Sequence, residues 1–175
     1  MADRLRIDLF AFALGALALL SLAFFETRNG AALVMCALCF VGLLAARLAG
    51  FSNRALVPVA VGLLAILWMI WIDDTFSGPQ MSMIAHGLGG ALIGWALSEY
   101  LRVRVGWPQW GVVALACVFG LTVLWELGEF AGDRVLGTAL QPNRADSAFD
   151  IFFGMLGGAT TVFLAWLLAP RAARR

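Results

Sequence analysis

Three acidic side chains share one face of a strongly apolar segment in the second half of the chain. Glu126, Glu129 and Asp133 are separated by three and four residues, the spacing that aligns side chains along one side of an α-helix. A carboxylate inside a membrane is costly to leave unpaired and is usually functional. We therefore expect a cation, a proton or an arginine to compensate these acids.

The composition of the chain is that of a membrane protein. Hydrophobic residues make up 62% of its 175 residues, and the mean hydropathy is +0.91, whereas soluble domains are roughly 45–50% apolar. The net charge is only +1, and the sequence has no basic patch, P-loop or Rossmann glycine pattern. We expect membrane lipids as partners and no nucleic acid.

Six apolar segments each approach the roughly 20 residues needed to cross a bilayer. The sequence therefore predicts one all-α membrane domain over residues 1–175, with scaffold helices in 1–72 and the polar site in 73–169. The predicted spans are about Ile7–Phe25, Ala31–Gly50, Ala55–Ile72, Met81–Leu101, Trp110–Phe130 and Ser147–Ala169.

The basic residues predict how the chain is oriented. All twelve are arginine, and nine of them fall on one side of the six predicted spans. Because positively charged loops stay in the cytoplasm, both termini of this multi-pass protein are predicted to be cytoplasmic. The nine are Arg4, Arg6, Arg47, Arg54, Arg102, Arg104, Arg171, Arg174 and Arg175.

This topology gathers polar side chains in one layer near the outer interface. Seven of the eleven acids and the only histidine belong to it, and all come from the third to the sixth predicted helices, whereas the first two add only Glu26 in their connecting loop. The layer comprises Asp73, Asp74, His86, Glu126, Glu129, Asp133, Asp146 and Asp150.

Glycines predict that two of the helices bearing this layer pack closely. Gly90 and Gly94 follow His86, and Gly154 and Gly158 follow Asp150. Small residues four apart allow membrane helices to approach at backbone distance. We expect a close-packed core directly beneath the polar layer.

A histidine among carboxylates is a hard ligand set that suits Mg²⁺, Mn²⁺, Zn²⁺ or iron. The candidate metal ligands are His86, Glu126, Glu129 and Asp150, and the candidate catalytic residues are Asp133 and Asp146. A metal held there could activate water or polarise a phosphoryl oxygen. The predicted depth suits the headgroup of a lipid or an isoprenoid phosphate.

Two other functions fit the same residues. Glu99 lies near the inner end of the fourth predicted helix, so a proton or cation route could join it to the outer acids. Alternatively, Arg134 and Arg144 could neutralise the acids in a non-enzymatic assembly protein. Cys36 and Cys39 have redox or zinc spacing, but with no further ligands nearby they are interpreted as small core residues.

The second half of the chain resembles the YjdF-like family of bacterial inner-membrane proteins, a domain of unknown function, and more loosely VanZ-like membrane proteins. The resemblance covers about 73–161 and implies a multi-helix inner-membrane protein but no reaction. It rests on His86 to Glu99, on Trp125-Glu126-Leu-Gly-Glu129-Phe130, and on Leu136-Gly-Thr138, Asp146 to Asp150 and Gly158-Ala-Thr-Thr161. The chain departs from the family at Ser98 and at Ala145-Asp-Ser-Ala148.

Overall fold

The described part of the chain is helical apart from its turns. The computed structural model describes residues 11, 14–21, 30–71, 79–138, 141 and 144–169, without the side chains of 69–71, 79, 80 and 144. The predictions for Glu26, Asp73 and Asp74 lie outside the described residues. The helices are α1 (14–21), α2 (Gly30–Leu48), α3 (Asn53–Trp71), α4 (Pro79–Leu101), α5 (Gln109–Leu136) and α6 (Arg144–Leu168).

Four of these helices are long and apolar enough to cross a membrane. They are α2, α5 and most of α4 and α6. In α3, the shorter stretch Asn53–Trp68 is also apolar. Large apolar side chains such as Phe119, Leu124 and Phe163 are more than half exposed, as expected where lipid replaces water around a protein. The predicted all-helical membrane protein is confirmed at this level.

Two helices of the second half extend beyond their predicted ends. α5 runs past Phe130 to Leu136, where Gly137 adopts the left-handed conformation with a φ of 67° that commonly ends helices. α6 begins at Arg144, which places Asp146 in its first turn, where the helix dipole favours an acid. The predicted spans were based on apolar length. A helix can continue through polar residues after its apolar stretch stops, so both helices are longer than their predicted spans.

α4 and α6 are in backbone contact, as their glycines predict. A Cβ atom added to Gly90 would overlap the carbonyl oxygen of Gly154, and one added to Gly94 would lie 2.7 Å from the carbonyl oxygen of Gly158. On the same seam, a Cβ atom at Gly157 would overlap the carbonyl oxygen of Gly87. The two helices can approach this closely only because these positions carry no side chain.

The first half packs around a separate apolar cluster. Its fully or nearly fully buried members include Leu17 of α1, Cys36 of α2 and Leu56 of α3. Cys36 and Cys39 are both buried and free, which agrees with their interpretation as core residues. A second cluster joins α4, α5 and α6 and includes Leu97, Trp110, Val118 and Val162.

The glycine seam predicts a sharp difference between two adjacent positions. We expect Gly90→Ala to destabilise the protein by about 1–3 kcal/mol, the range for overpacking a filled core. Gly89 has nothing within 4 Å of an added Cβ atom, so Gly89→Ala should leave stability unchanged or raise it by up to about 1 kcal/mol. Thermal unfolding in detergent checks this, and equal melting temperatures for the two variants would contradict the packing of α4 on α6.

Candidate functional site

One side chain from each of α4, α5 and α6 meets above the glycine seam. His86, Glu126 and Asp150 each present a ligand atom, and these three atoms lie within 4.8 Å of one another. His86 precedes Gly90 by four residues and Asp150 precedes Gly154 by four. Since four residues make about one helical turn, the close contact below the site also sets the spacing of the side chains within it.

α5 joins the same junction through Thr122. A Cβ atom added to Gly154 would lie 2.7 Å from the Thr122 methyl group, so Thr122 fills the space that the glycine leaves. Its hydroxyl donates to the backbone oxygens of Val118 and Phe119 and therefore needs no partner on another helix. Glu126 follows Thr122 by one turn, which brings its carboxylate to the level of the other two side chains.

The hydrogen bonds of His86 fix the orientation of its ring. Nδ1 lies 3.0 Å from Asp150 Oδ1 and 3.1 Å from the backbone oxygen of Ser82. Both are acceptors, so we assign a proton to Nδ1. Nε2 then points at Glu126 Oε1, 3.4 Å away, and at Glu129 Oε1, 3.9 Å away. A carboxylate on one ring nitrogen with the other nitrogen facing inward is the usual arrangement of a metal-binding histidine.

The Glu126 carboxylate is buried and only half satisfied. Its residue is 6% exposed, and Oε1 has no hydrogen-bond partner in the described part of the chain. Oε2, in contrast, accepts a hydrogen bond of 3.1 Å from Gln141 Nε2. Oε1 is within ion-pair range of His86 Nε2, at 3.4 Å, without the geometry of a hydrogen bond.

The two other carboxylates near His86 have donors of their own. Glu129 Oε1 accepts a hydrogen bond of 2.8 Å from Trp125 Nε1. Asp150, which is 3% exposed, accepts from the Ser82 hydroxyl at 3.2 Å and 3.1 Å on its two oxygens. Each acid thus keeps a defined orientation, and the site is a fixed network rather than a set of mobile surface charges.

The charges of this network do not balance. If all three acids are ionised, even a protonated His86 leaves a net charge of −2 on this buried group. Within the described residues, no arginine side chain forms an ion pair with Glu126, Glu129 or Asp150. Arg134 instead lies over the Phe130 ring. Because buried charges need compensation, the group requires additional protons or a cation.

The candidate catalytic residues lie in the surroundings of this group. Asp133 accepts from the Thr138 hydroxyl at 2.6 Å and from the Gln141 backbone nitrogen at 2.9 Å. It therefore anchors the segment that follows α5. Asp146 lies one turn before Asp150, in the first turn of α6. The catalytic roles of Asp133 and Asp146 stay predictions.

Glu99 belongs to the opposite end of α4. Both of its carboxylate oxygens bind Arg102 Nη2, at 2.7 Å and 2.8 Å. This ion pair between residues three apart on one helix gives Glu99 a structural role. Between this end and the candidate site, α4 and α6 are closed against each other by their glycine contacts.

Sequence reasoning missed Ser82, Gln141 and Trp125 as parts of the site. Ser82 precedes His86 by four residues, and Trp125 precedes Glu129 by four, so helical spacing was a usable signal for both. Gln141 lies between two helices, where no periodicity links it to Glu126. Its contact could be found only from the three-dimensional structure.

The tautomer of His86 can be measured directly because the chain has one histidine. In ¹⁵N-histidine-labelled protein, prepared without a histidine tag, we expect the NMR signature of a protonated Nδ1. Asp150→Leu should weaken this preference, because the charged acceptor is lost and only the Ser82 backbone oxygen remains at Nδ1. Asp146→Leu, the same change one turn away, should preserve it. A ring protonated only on Nε2 in the wild-type protein would refute the assignment.

Comparisons with known proteins give no information on function, so the proposal below depends on the geometry of the site. No family model matches the chain, and neither a curated protein nor a solved structure is detectably similar to it. The resemblance to YjdF-like proteins therefore stays a prediction based on a few short blocks.

Proposed function

We propose that this protein is a metal-dependent membrane enzyme acting on a phosphorylated headgroup, either of a lipid or of an isoprenoid phosphate. The observation that carries the proposal is the convergence of His86, Glu126 and Asp150 within 4.8 Å, with Oε1 of Glu126 buried and unpaired. A cation between His86 Nε2 and this oxygen would satisfy both atoms and reduce the excess negative charge.

The donor atoms favour a small divalent ion. One imidazole nitrogen with carboxylate oxygens suits Zn²⁺, Mn²⁺ or Fe²⁺, and the carboxylates alone suit Mg²⁺. We propose His86 Nε2, Glu126 and Glu129 as ligands, while Asp150 either binds the ion or orients His86 through Nδ1. Such an ion, when bound, lowers the pKa of a bound water and polarises a phosphoryl oxygen.

The position of the group along its helices supports a headgroup substrate. His86 is seven residues from the start of α4, Asp150 six from the start of α6, and Glu126 ten from the end of α5. At about 1.5 Å per residue, these atoms lie roughly 9–15 Å below the helix ends. α5, with 28 residues, measures about 42 Å and exceeds the roughly 30 Å hydrocarbon core. The group thus has the depth of a headgroup or of the upper acyl chain.

The remaining parts of the proposal concern topology. We propose six spans with both termini cytoplasmic, in the bacterial inner membrane, with the site toward the outer leaflet. The support is the segregation of charge, because Arg47, Arg54, Arg102 and Arg104 lie at the helix ends opposite the acidic group. The blocks shared with YjdF-like proteins agree with an inner-membrane location.

Metal content is the first test. Protein purified in detergent without a histidine tag should bind about one Zn²⁺ or Mn²⁺ per chain by elemental analysis. Glu126→Gln should weaken binding by at least the roughly tenfold to hundredfold that loss of an outer-shell group costs, because it removes a direct ligand. Glu99→Gln, at the far end of α4, is the matched control and should bind normally. If the purified protein binds no divalent ion, the proposal is wrong.

Catalysis is tested separately from binding. Phosphate release from phospholipids and from isoprenoid phosphates in mixed micelles should require the added ion and should fail in Glu126→Gln. The two substrate classes are assayed side by side, so the result identifies the headgroup. If the protein binds the metal but hydrolyses neither class of substrate, the proposed metal site stands and the proposed reaction is wrong.

One observation favours a second candidate function, a non-enzymatic assembly protein with a fixed ion-pair network. His86 lies between Asp150 on one side and Glu126 and Glu129 on the other, as an imidazolium in such a network would. This candidate predicts metal-free protein in which His86→Arg preserves folding and cellular function. A metal enzyme would lose activity with the same change.

A further inference from the structure

Described residues after α5 contact the acids of that helix. Gly137 reverses the chain with its φ of 67°, and Thr138 and Gln141 then both bond to Asp133. A Cβ atom added to Gly30, at the start of α2, would lie 3.4 Å from the Thr138 methyl group. The described residues Gly137, Thr138 and Gln141, here called the strap, are therefore held from two directions.

The strap delivers one side chain to the site. Gln141 Nε2 donates to the backbone oxygen of Glu126 at 2.7 Å and to its Oε2 at 3.1 Å. An amide nitrogen has two hydrogens, so both bonds form together and hold the amide in one orientation. The same carboxylate keeps Oε1 free and turned toward His86.

We propose that Gln141 is a specificity-determining residue that restricts Glu126 to ligation through one oxygen. This inference rests on the proposed function, because it concerns the ion at that site. The amide holds Oε2 in place, so Oε1 is the oxygen turned toward a cation at His86 Nε2. The restriction acts on a residue that is only 6% exposed, where protein groups orient the carboxylate.

One-oxygen ligation discriminates between ions by their coordination numbers. Ca²⁺ takes six to eight oxygen ligands and commonly uses a bidentate carboxylate, whereas Zn²⁺ is satisfied by four ligands. A site with one imidazole nitrogen and single-oxygen carboxylates therefore selects the smaller ion. Asp133 is a positioning residue in this scheme, since it acts on the site only through the strap.

The experiment measures Zn²⁺ and Ca²⁺ affinities of the full-length protein by competition with fluorescent chelators. In Gln141→Ala, the carboxylate loses the amide that orients it and keeps only its hydrogen bond with Ser147. It can then turn toward bidentate ligation, so the ratio of Zn²⁺ to Ca²⁺ affinity should fall roughly tenfold, mainly through tighter Ca²⁺ binding. Gln109→Ala makes the same chemical change at the other end of α5 and should keep the wild-type ratio.

Two further variants guard against a loss of folding. Gln141→Asn keeps the amide but shortens its reach, so the ratio should fall in the same direction with an unchanged melting temperature. Asp133→Asn should shift the ratio through the strap, and it should add little when combined with Gln141→Ala, as expected for residues acting in one unit.

The outcomes separate the inference from the function on which it rests. Zn²⁺ binding in the wild type with an unchanged ratio in Gln141→Ala overturns the role of Gln141 and leaves the metal site standing. A wild-type protein that binds neither ion overturns both. A ratio that falls equally in Gln109→Ala also refutes the inference, because the effect would not depend on the site.

Discussion

The backbone contact between α4 and α6 is the constraint on which the site depends. At Gly90 and Gly154 the two helices touch without intervening side chains, and one turn above this contact His86 and Asp150 come within 3.0 Å. A side chain in the seam would force the helices apart, and the same displacement would separate the polar pair. Packing energy and site geometry are therefore fixed by the same glycines.

This arrangement explains how a small bundle can keep three acids buried. A lipid-facing helix gains little from burying apolar surface against another helix, so close contact and polar bonds supply much of the association. Ser82 and Trp125 bond to Asp150 and Glu129, and His86 bridges toward all three acids. These bonds orient the carboxylates but do not cancel their charge, which is the reason to expect a cation or additional protons.

Much of this organisation was accessible from sequence because helices carry a strict periodicity. The apolar lengths predicted membrane helices, and the four-residue spacing of Gly90 and Gly94 predicted the close seam. The three-residue spacing of Glu126 and Glu129 placed them on one face. α5 and α6 continue beyond the predicted apolar spans, because apolar length does not detect a helix that continues through polar residues. The six spans and the orientation depend partly on residues outside the described part of the chain.

Two hydrogen-bond partners of Asp133 could not be predicted from the sequence, because they lie outside the helices. Asp133 has the same spacing from Glu129 as a ligand on that face would have, yet its oxygens accept from Thr138 and Gln141. These partners of Asp133 come from the residues that follow α5, after Gly137 ends the helix with a positive φ. In the proposed site, the helices place the three side chains at fixed positions, and the strap orients the carboxylate of Glu126. Such a division lets the loop alter ion preference without disturbing the glycine contact that holds the ligands together.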